Sequence, residues 1–219
     1  MNYSIAWLVG ALLLGGTANS AEVPTSADQV HPVLIGGHAP DAHLMTSQGK
    51  PVSLKVEILD KPTILIFYRG GWCPYCNRQL GELKQIQSEL IKLGYQIVAV
   101  SPDRPEGLRA TVAKHTLKYA LFSDSSLDAA KAFGIAFRVD ETTLAKYKNL
   151  GIDLEKESGK KHSLLPVPAV FLTDSSGVIQ FEYINPDYKT RLRPEILLSA
   201  ARVFARERRD RSSKPLLGG

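Results

Sequence analysis

The chain has 219 residues, 44% hydrophobic and 22% charged, with a formal net charge of +5 and two cysteines. That length fits one domain of about 150–200 residues with short extensions, and the apolar share can build a core, so wholesale disorder is excluded. Two cysteines exclude both a disulfide-stapled mini-protein and a four-cysteine zinc site. Five basic and two acidic side chains lie from Arg206 onward. Much of the positive excess is therefore local, residues 207–219 read as a disordered basic tail, and no nucleic-acid partner is expected.

Ile5 to Leu14 is apolar and is followed by Gly15, Gly16 and the small or polar residues Thr17 to Ala21. About ten such residues are too few for a ~30 Å hydrocarbon core. A short apolar run before small residues is the pattern of a secretory signal peptide, here over 1–20, with Ala18 and Ser20 at the positions that cleavage requires. No Lys or Arg precedes the run. The expectation is a periplasmic or secreted protein with no stable membrane insertion after cleavage, a polar leader over 21–33 and one domain over 34–206. In such a compartment thiols meet oxidants, so two cysteines three positions apart point to use rather than storage.

Val52-Ser53-Leu54 reads as a short strand after a Gln48-Gly49-Lys50 turn. Thr63 to Tyr68 is a continuous β-rich apolar run, as for a strand buried on both faces, and Arg69-Gly70-Gly71 ends it. A helix follows, with Pro74 in its first turn, a stripe of Cys76, Leu80, Leu83, Leu90 and flanking Ile86, and Gly94 as its stop. Gln96 to Ser101 is a second buried strand, Pro105 to about Leu117 a helix, Tyr119 to Phe122 a short strand, and Leu127 to Phe133 a short helix. Residues 138–166 are polar and carry no clear periodicity. Ala169 to Thr173, a Ser175-Ser176-Gly177 turn and Val178 to Ile184 form a hairpin. Arg193 to Arg206 is an amphipathic helix with Ile196, Leu197, Ala200, Val203 and Phe204 as its stripe. This order defines an α/β fold with a central mixed sheet and helices on both faces.

The chemistry concentrates at Trp72-Cys73-Pro74-Tyr75-Cys76. The pair follows a buried strand and opens a helix, whose first turn offers unpaired N–H groups and partial positive charge. A thiolate at Cys73 is stabilised there, below the ordinary thiol value of about 8.5. Cys76 lies one turn on, on the same side, close enough to bridge. Zinc would need two further nitrogen or sulfur ligands, and the five histidines show no paired spacing, so no metal and no cofactor is expected.

Phe67 to Cys76 resembles peroxiredoxin-like members of the alkyl hydroperoxide reductase/thiol-specific antioxidant family, within the thioredoxin superfamily. The likeness spans roughly 33–206 and includes Gly37-His38-Ala39-Pro40-Asp41, Ser101-Pro102-Asp103, Ser123-Asp124, Ala130 to Gly134 and Phe171 to Gly177. It implies a thioredoxin-like fold, a peroxide or disulfide substrate and an external dithiol electron donor. Cys-Pro-Tyr-Cys itself is similar to the dithiol of glutaredoxins, a couple of about −200 to −230 mV. In a thioredoxin-like fold Pro168 stands where a cis-proline loop faces the dithiol.

Several positions depart from the family pattern. The family's Pro, Thr or Ser, and peroxidatic Cys fall on Arg69, Cys73 and Cys76, and its active-site Arg falls on Pro168. Arg69, beside the site, is the substitute candidate. The buried acid of thioredoxins falls on Phe67, which leaves the proton acceptor for Cys76 unassigned. The thioredoxin template makes Cys73 the nucleophile and Cys76 the resolver, whereas the peroxiredoxin template makes Cys76 the peroxidatic residue. The helix start favours Cys73, expected to be the more exposed thiol. Trp72, Arg69, Pro74 and Pro168 are the supporting residues. A disulfide reductase without peroxidase activity and a non-catalytic module with a static disulfide are the alternatives.

Overall fold

A computed structural model of the chain describes residues 22–213. The expected export signal and residues 214–219 lie outside them. In chain order the elements are β1 (His43–Thr46), β2 (Pro51–Ser53), α1 (Leu54–Ile58), β3 (Thr63–Phe67), α2 (Pro74–Lys92), β4 (Gln96–Ser101), α3 (Pro105–His115), β5 (Ala120–Ser123), α4 (Asp128–Ala132), β6 (Ala136–Arg138), α5 (Glu141–Asn149), α6 (Leu154–Ser158), β7 (Leu164–Pro166), β8 (Ala169–Thr173), β9 (Ile179–Ile184) and α7 (Pro194–Ser213). Seven strands form one sheet in the order β2-β1-β5-β4-β3-β8-β9, and β6 pairs with β7 separately. The β3–β4 and β4–β5 ladders are parallel and the other pairings are antiparallel, so the sheet is mixed.

Period-two alternation along the central strands assigns each residue to a face. Ile64, Ile66, Ile97, Ala99, Val170 and Leu172 meet Leu80, Leu83 and Leu90 of α2 and Leu197, Leu198 and Ala201 of α7. Leu65, Phe67, Val98, Val100 and Phe171 meet Leu54 and Ile58 of α1 and Ala129, Ala130 and Phe133 around α4. Both faces are covered, which explains the unbroken hydrophobicity of β3 and β4. Phe67, Phe133 and Phe171 form a ring cluster, with centroids 4.9 to 6.1 Å apart, that fixes the second face.

Several expectations need correction. Leu54 does not extend a strand: the Ser53 hydroxyl accepts from the Val56 N–H (3.3 Å), capping α1 and turning the chain into a helix. The buried stripe of α7 is Leu197, Leu198, Ala201 and Ala205, while Ile196 and Val203 are about half exposed. The buried face of the helix is thus offset by about one residue from the predicted stripe. The helix also continues to Ser213, through part of the predicted disordered tail. Arg208 holds this extension by donating to the Leu93 carbonyl (2.9 Å) and lying over the Tyr95 ring (4.9 Å). The leader is packed as well, with Val23, Ala27, Val30 and Val33 against the second core.

Every peptide bond among the described residues is trans, so Pro168 is not a cis proline. The β6–β7 ladder and the Val167 N–H to Ile135 carbonyl bond (2.8 Å) deliver the chain into β8 already extended, where no reversal is needed.

Candidate active site

β3 ends at Phe67, and the chain reaches α2 through Tyr68-Arg69-Gly70-Gly71-Trp72. Glycine is required twice in that passage. Gly70 has φ +143°, and a Cβ there would meet the Trp72 Nε1 at 2.3 Å. A Cβ on Gly71 would meet the Thr111 hydroxyl at 2.1 Å. The Gly71 N–H donates to Asp103 Oδ2 (2.8 Å), the Asn77 side chain donates to the Gly71 carbonyl (2.8 Å), and the Cys73 N–H donates to the Gly70 carbonyl (3.1 Å). These bonds fix the loop so that Cys73 is the N-cap of α2, with Pro74 at its first position.

The two thiols are free and both buried, at 1% exposure for Cys73 and 0% for Cys76. The expected exposure of Cys73 is thus corrected, because an aromatic cover closes over it. Arg69, itself 3% exposed, places its guanidinium 3.9 Å from the Tyr188 ring centroid, 5.1 Å from Trp72 and 5.4 Å from Tyr147. Its Nη2 also donates to the Tyr147 hydroxyl. Tyr147 belongs to α5, so the 138–166 stretch supplies part of the cover. Trp72 packs with Val139, Leu144, Tyr147, Ile152, Leu154 and Leu165 in a small third core.

Within this enclosure the two sulfurs diverge. Cys73 is lowered to about 6, first by a hydrogen bond from the Cys76 thiol, against the opposing effect of burial, and further by the Cys76 backbone N–H and the charges of Arg69 and Arg191. Cys76 is pushed well up, by burial first and then by the hydrogen bond and charge of Cys73. One sulfur is thereby favoured as the thiolate and the other held as the thiol.

Two residues unassigned from the sequence complete the site. Asp103, 2% exposed, accepts from the Ser101 hydroxyl (3.0 Å) as well as from Gly71, and burial raises it to about 6 against those bonds. The Cys73 charge contributes to the rise, so this carboxyl and the dithiol sense each other. Ser101-Pro102-Asp103 was visible only as a stretch resembling the family. Parallel pairing of β3 with β4 brings it beside the Gly70-Gly71 loop. Arg191 donates through Nη2 to Cys76 Sγ (3.3 Å) and through Nη1 to Gln79 Oε1 (3.2 Å). No local signal marked it, since 115 residues separate it from Cys76. Of the predicted supporting residues, Arg69, Trp72 and Pro74 gather at the dithiol. Pro168 precedes Ala169, which pairs with Phe67, and so lies at the same end of the sheet.

The architecture is that of the thioredoxin-like proteins, a mixed sheet with a two-cysteine loop feeding a helix. Its likeness to solved structures agrees. Peroxidoxin BcpB of Mycobacterium tuberculosis superposes with a TM-score of 0.59 at 18% identity, covering 77% of this chain and 96% of that one. A peroxiredoxin-like protein of Aquifex aeolicus gives 0.63 at 16%, covering 80% and 90%. In sequence, the chain is 33% identical over 106 residues to a putative peroxiredoxin of Haemophilus influenzae, covering 48% of this chain and 68% of the relative. It is 26% identical over 153 residues to the chloroplastic peroxiredoxin Q of Sedum lineare, covering 70% of each. The AhpC/TSA family model matches residues 35–182, and the chain belongs to that family. It is a peroxiredoxin-like member of the thioredoxin superfamily and a thiol-dependent oxidoreductase.

Proposed function

We infer that the chain reduces hydroperoxides through its Cys73-Pro74-Tyr75-Cys76 dithiol, with Cys73 as nucleophile. The observation that carries this reading is the opposite displacement of the two thiols, Cys73 to about 6 and Cys76 well above its ordinary value. The Cys73 thiolate attacks one peroxide oxygen, the O–O bond breaks, and the departing alkoxide or hydroxide takes a proton. Cys73 becomes a sulfenic acid. The Cys76 sulfur then attacks it, water leaves and a Cys73–Cys76 disulfide remains. An external thiol donor returns both cysteines to the reduced state.

Arg69 takes the place of the missing family arginine. Its Nε is buried without a hydrogen-bond partner, a donor available to a peroxide oxygen. Asp103, raised to about 6 and sensitive to the Cys73 charge, is the group suited to exchange a proton with the dithiol. The aromatic cover favours a small or slender peroxide over a protein disulfide, which would have to displace Trp72, Tyr147 and Tyr188. Export to a periplasm remains part of the proposal, carried by the Ile5 to Ser20 pattern.

Stopped-flow oxidation of the reduced protein by hydrogen peroxide tests the reading. A rate far above that of free cysteine is expected, abolished in Cys73→Ser and retained as a single oxidation without disulfide in Cys76→Ser. A rate no faster than free cysteine, with insulin reduction intact, would give the site to disulfide exchange instead. A disulfide that resists millimolar thiol would make it structural.

A further inference from the structure

Arg191, which contacts the dithiol, also lines a surface cleft of about 590 Å³, together with Arg78 and Glu82 of α2 and the other residues of 189–196. Its volume is that of a small-ligand site. Four lining side chains are basic (Arg78, Lys189, Arg191, Arg193) and two are acidic (Glu82, Glu195). Arg78 engages Glu82 at 3.7 Å. Asp187, just outside, is held low first by the Lys189 N–H and then by the Thr190 hydroxyl, with Lys189 and Arg191 adding their charge. With Asp187 included the cleft still carries a positive excess.

Arg191 joins this cleft to the chemistry. It lines the wall, contacts Cys76 Sγ at 3.3 Å, and keeps its buried Nε without a hydrogen-bond partner. A buried unsatisfied donor beside a basic cleft calls for an acceptor. The redox state sharpens the demand. In the reduced protein the negative charge of Cys73 faces both Arg69 and Arg191. Forming the disulfide removes that charge, so the oxidised protein attracts an anion more strongly than the reduced one. By linkage, an anion bound there favours the oxidised form, the form a reductant must find.

We propose that this cleft binds a carboxylate-bearing low-molecular-mass thiol, held by Lys189, Arg191 and Arg193, and that this thiol reduces the Cys73–Cys76 disulfide. The proposal rests on the dithiol reading above. Once Arg191 turns from Cys76 Sγ to the ligand's carboxylate, the ligand's thiolate attacks Cys76 Sγ, the S–S bond breaks, and its electron pair leaves on Cys73, the more acidic thiol and the better leaving group. A second thiol attacks the outer sulfur of the mixed disulfide. Cys76 departs and takes a proton, and the two thiols leave as their disulfide, having supplied two electrons.

The test follows reduction of the oxidised full chain by stopped-flow, comparing mercaptopropionate, which carries a carboxylate, with neutral mercaptoethanol. The mercaptopropionate rate is expected to saturate and to be slowed by succinate. Lys189→Glu/Arg193→Glu should lower it about tenfold and leave the mercaptoethanol rate within about twofold. Equal effects of the double reversal on both thiols, or no effect of succinate on the wild-type protein, would overturn the proposal. Succinate competition needs no variant and decides the matter if the double reversal fails to fold. Peroxide is absent from this half-reaction. A protein inert to peroxide but selective among thiols would therefore lose the peroxidase reading and keep the cleft.

Discussion

At the scale of single residues, the acidity of Cys73 depends chiefly on its neighbour's proton. Because the largest lowering contribution is the hydrogen bond from Cys76, Cys76→Ser should weaken but not abolish the depression, whereas Cys76→Ala should lift Cys73 back toward the ordinary thiol range. Alkylation of Cys73 by iodoacetamide across pH, half-maximal near 6 in the wild type, measures both. Asp103 gives a second outcome with a definite sign. Its folded value of about 6 lies above the 3.8 of an unfolded Asp, so the native state binds more protons between those pH values. The associated stability is present at low pH and is lost as pH rises from about 4 to about 6. For a buried carboxyl this amounts to about 3 kcal/mol. Urea unfolding at pH 4 and pH 7 should show that decline flattened in Asp103→Asn. Peroxide turnover should fall in the same variant, which removes the carboxyl that senses the Cys73 charge.

At the scale of elements, the strand-to-helix loop is held by steric exclusion as much as by hydrogen bonds. Gly71→Ala would drive a methyl into the Thr111 hydroxyl, which itself donates to the Gly107 carbonyl at 3.0 Å. A cost of about 1–3 kcal/mol in chemical unfolding is expected, with a rise in the Cys73 pKa as the N-cap shifts. Thr111→Ala in the same chain removes the obstructing atom and should recover most of both losses. At the far end of α2, Arg208→Ala removes the donor to the Leu93 carbonyl and the Tyr95 contact. About 1 kcal/mol lost in the same assay is expected, more than the exposed Arg202–Glu89 pair would cost.

At the scale of the whole molecule, the 138–166 excursion packs against Arg69 and Trp72 beside the dithiol. It rests on the third core and reaches the site through Tyr147. Tyr147→Phe keeps the ring and loses the hydroxyl that accepts from Arg69. Alkylation of Cys73 by a bulky maleimide should accelerate several-fold, with much less change for iodoacetamide. Equal acceleration of both reagents would indicate a change in thiolate population rather than in access.

The sequence alone determined the features whose causes are local. The buried strands β3, β4 and β8 are contiguous apolar runs, α2 begins at Pro74 and carries its own stripe, and the dithiol sits at a helix start because strand, loop and helix are consecutive. Short or half-exposed elements such as β1, α1 and α5 escaped because a few residues at an edge or on a polar excursion carry no decisive period. The tertiary structure decided what depends on residues far apart in the chain. It placed Asp103 under the glycine loop, brought Arg191 to Cys76, folded Tyr147 over Arg69 and turned the face of α7. Charge and burial act through space, so sulfur acidity, solvent access and the neighbouring basic cleft exist only once sheet pairing and helix packing have brought those groups together.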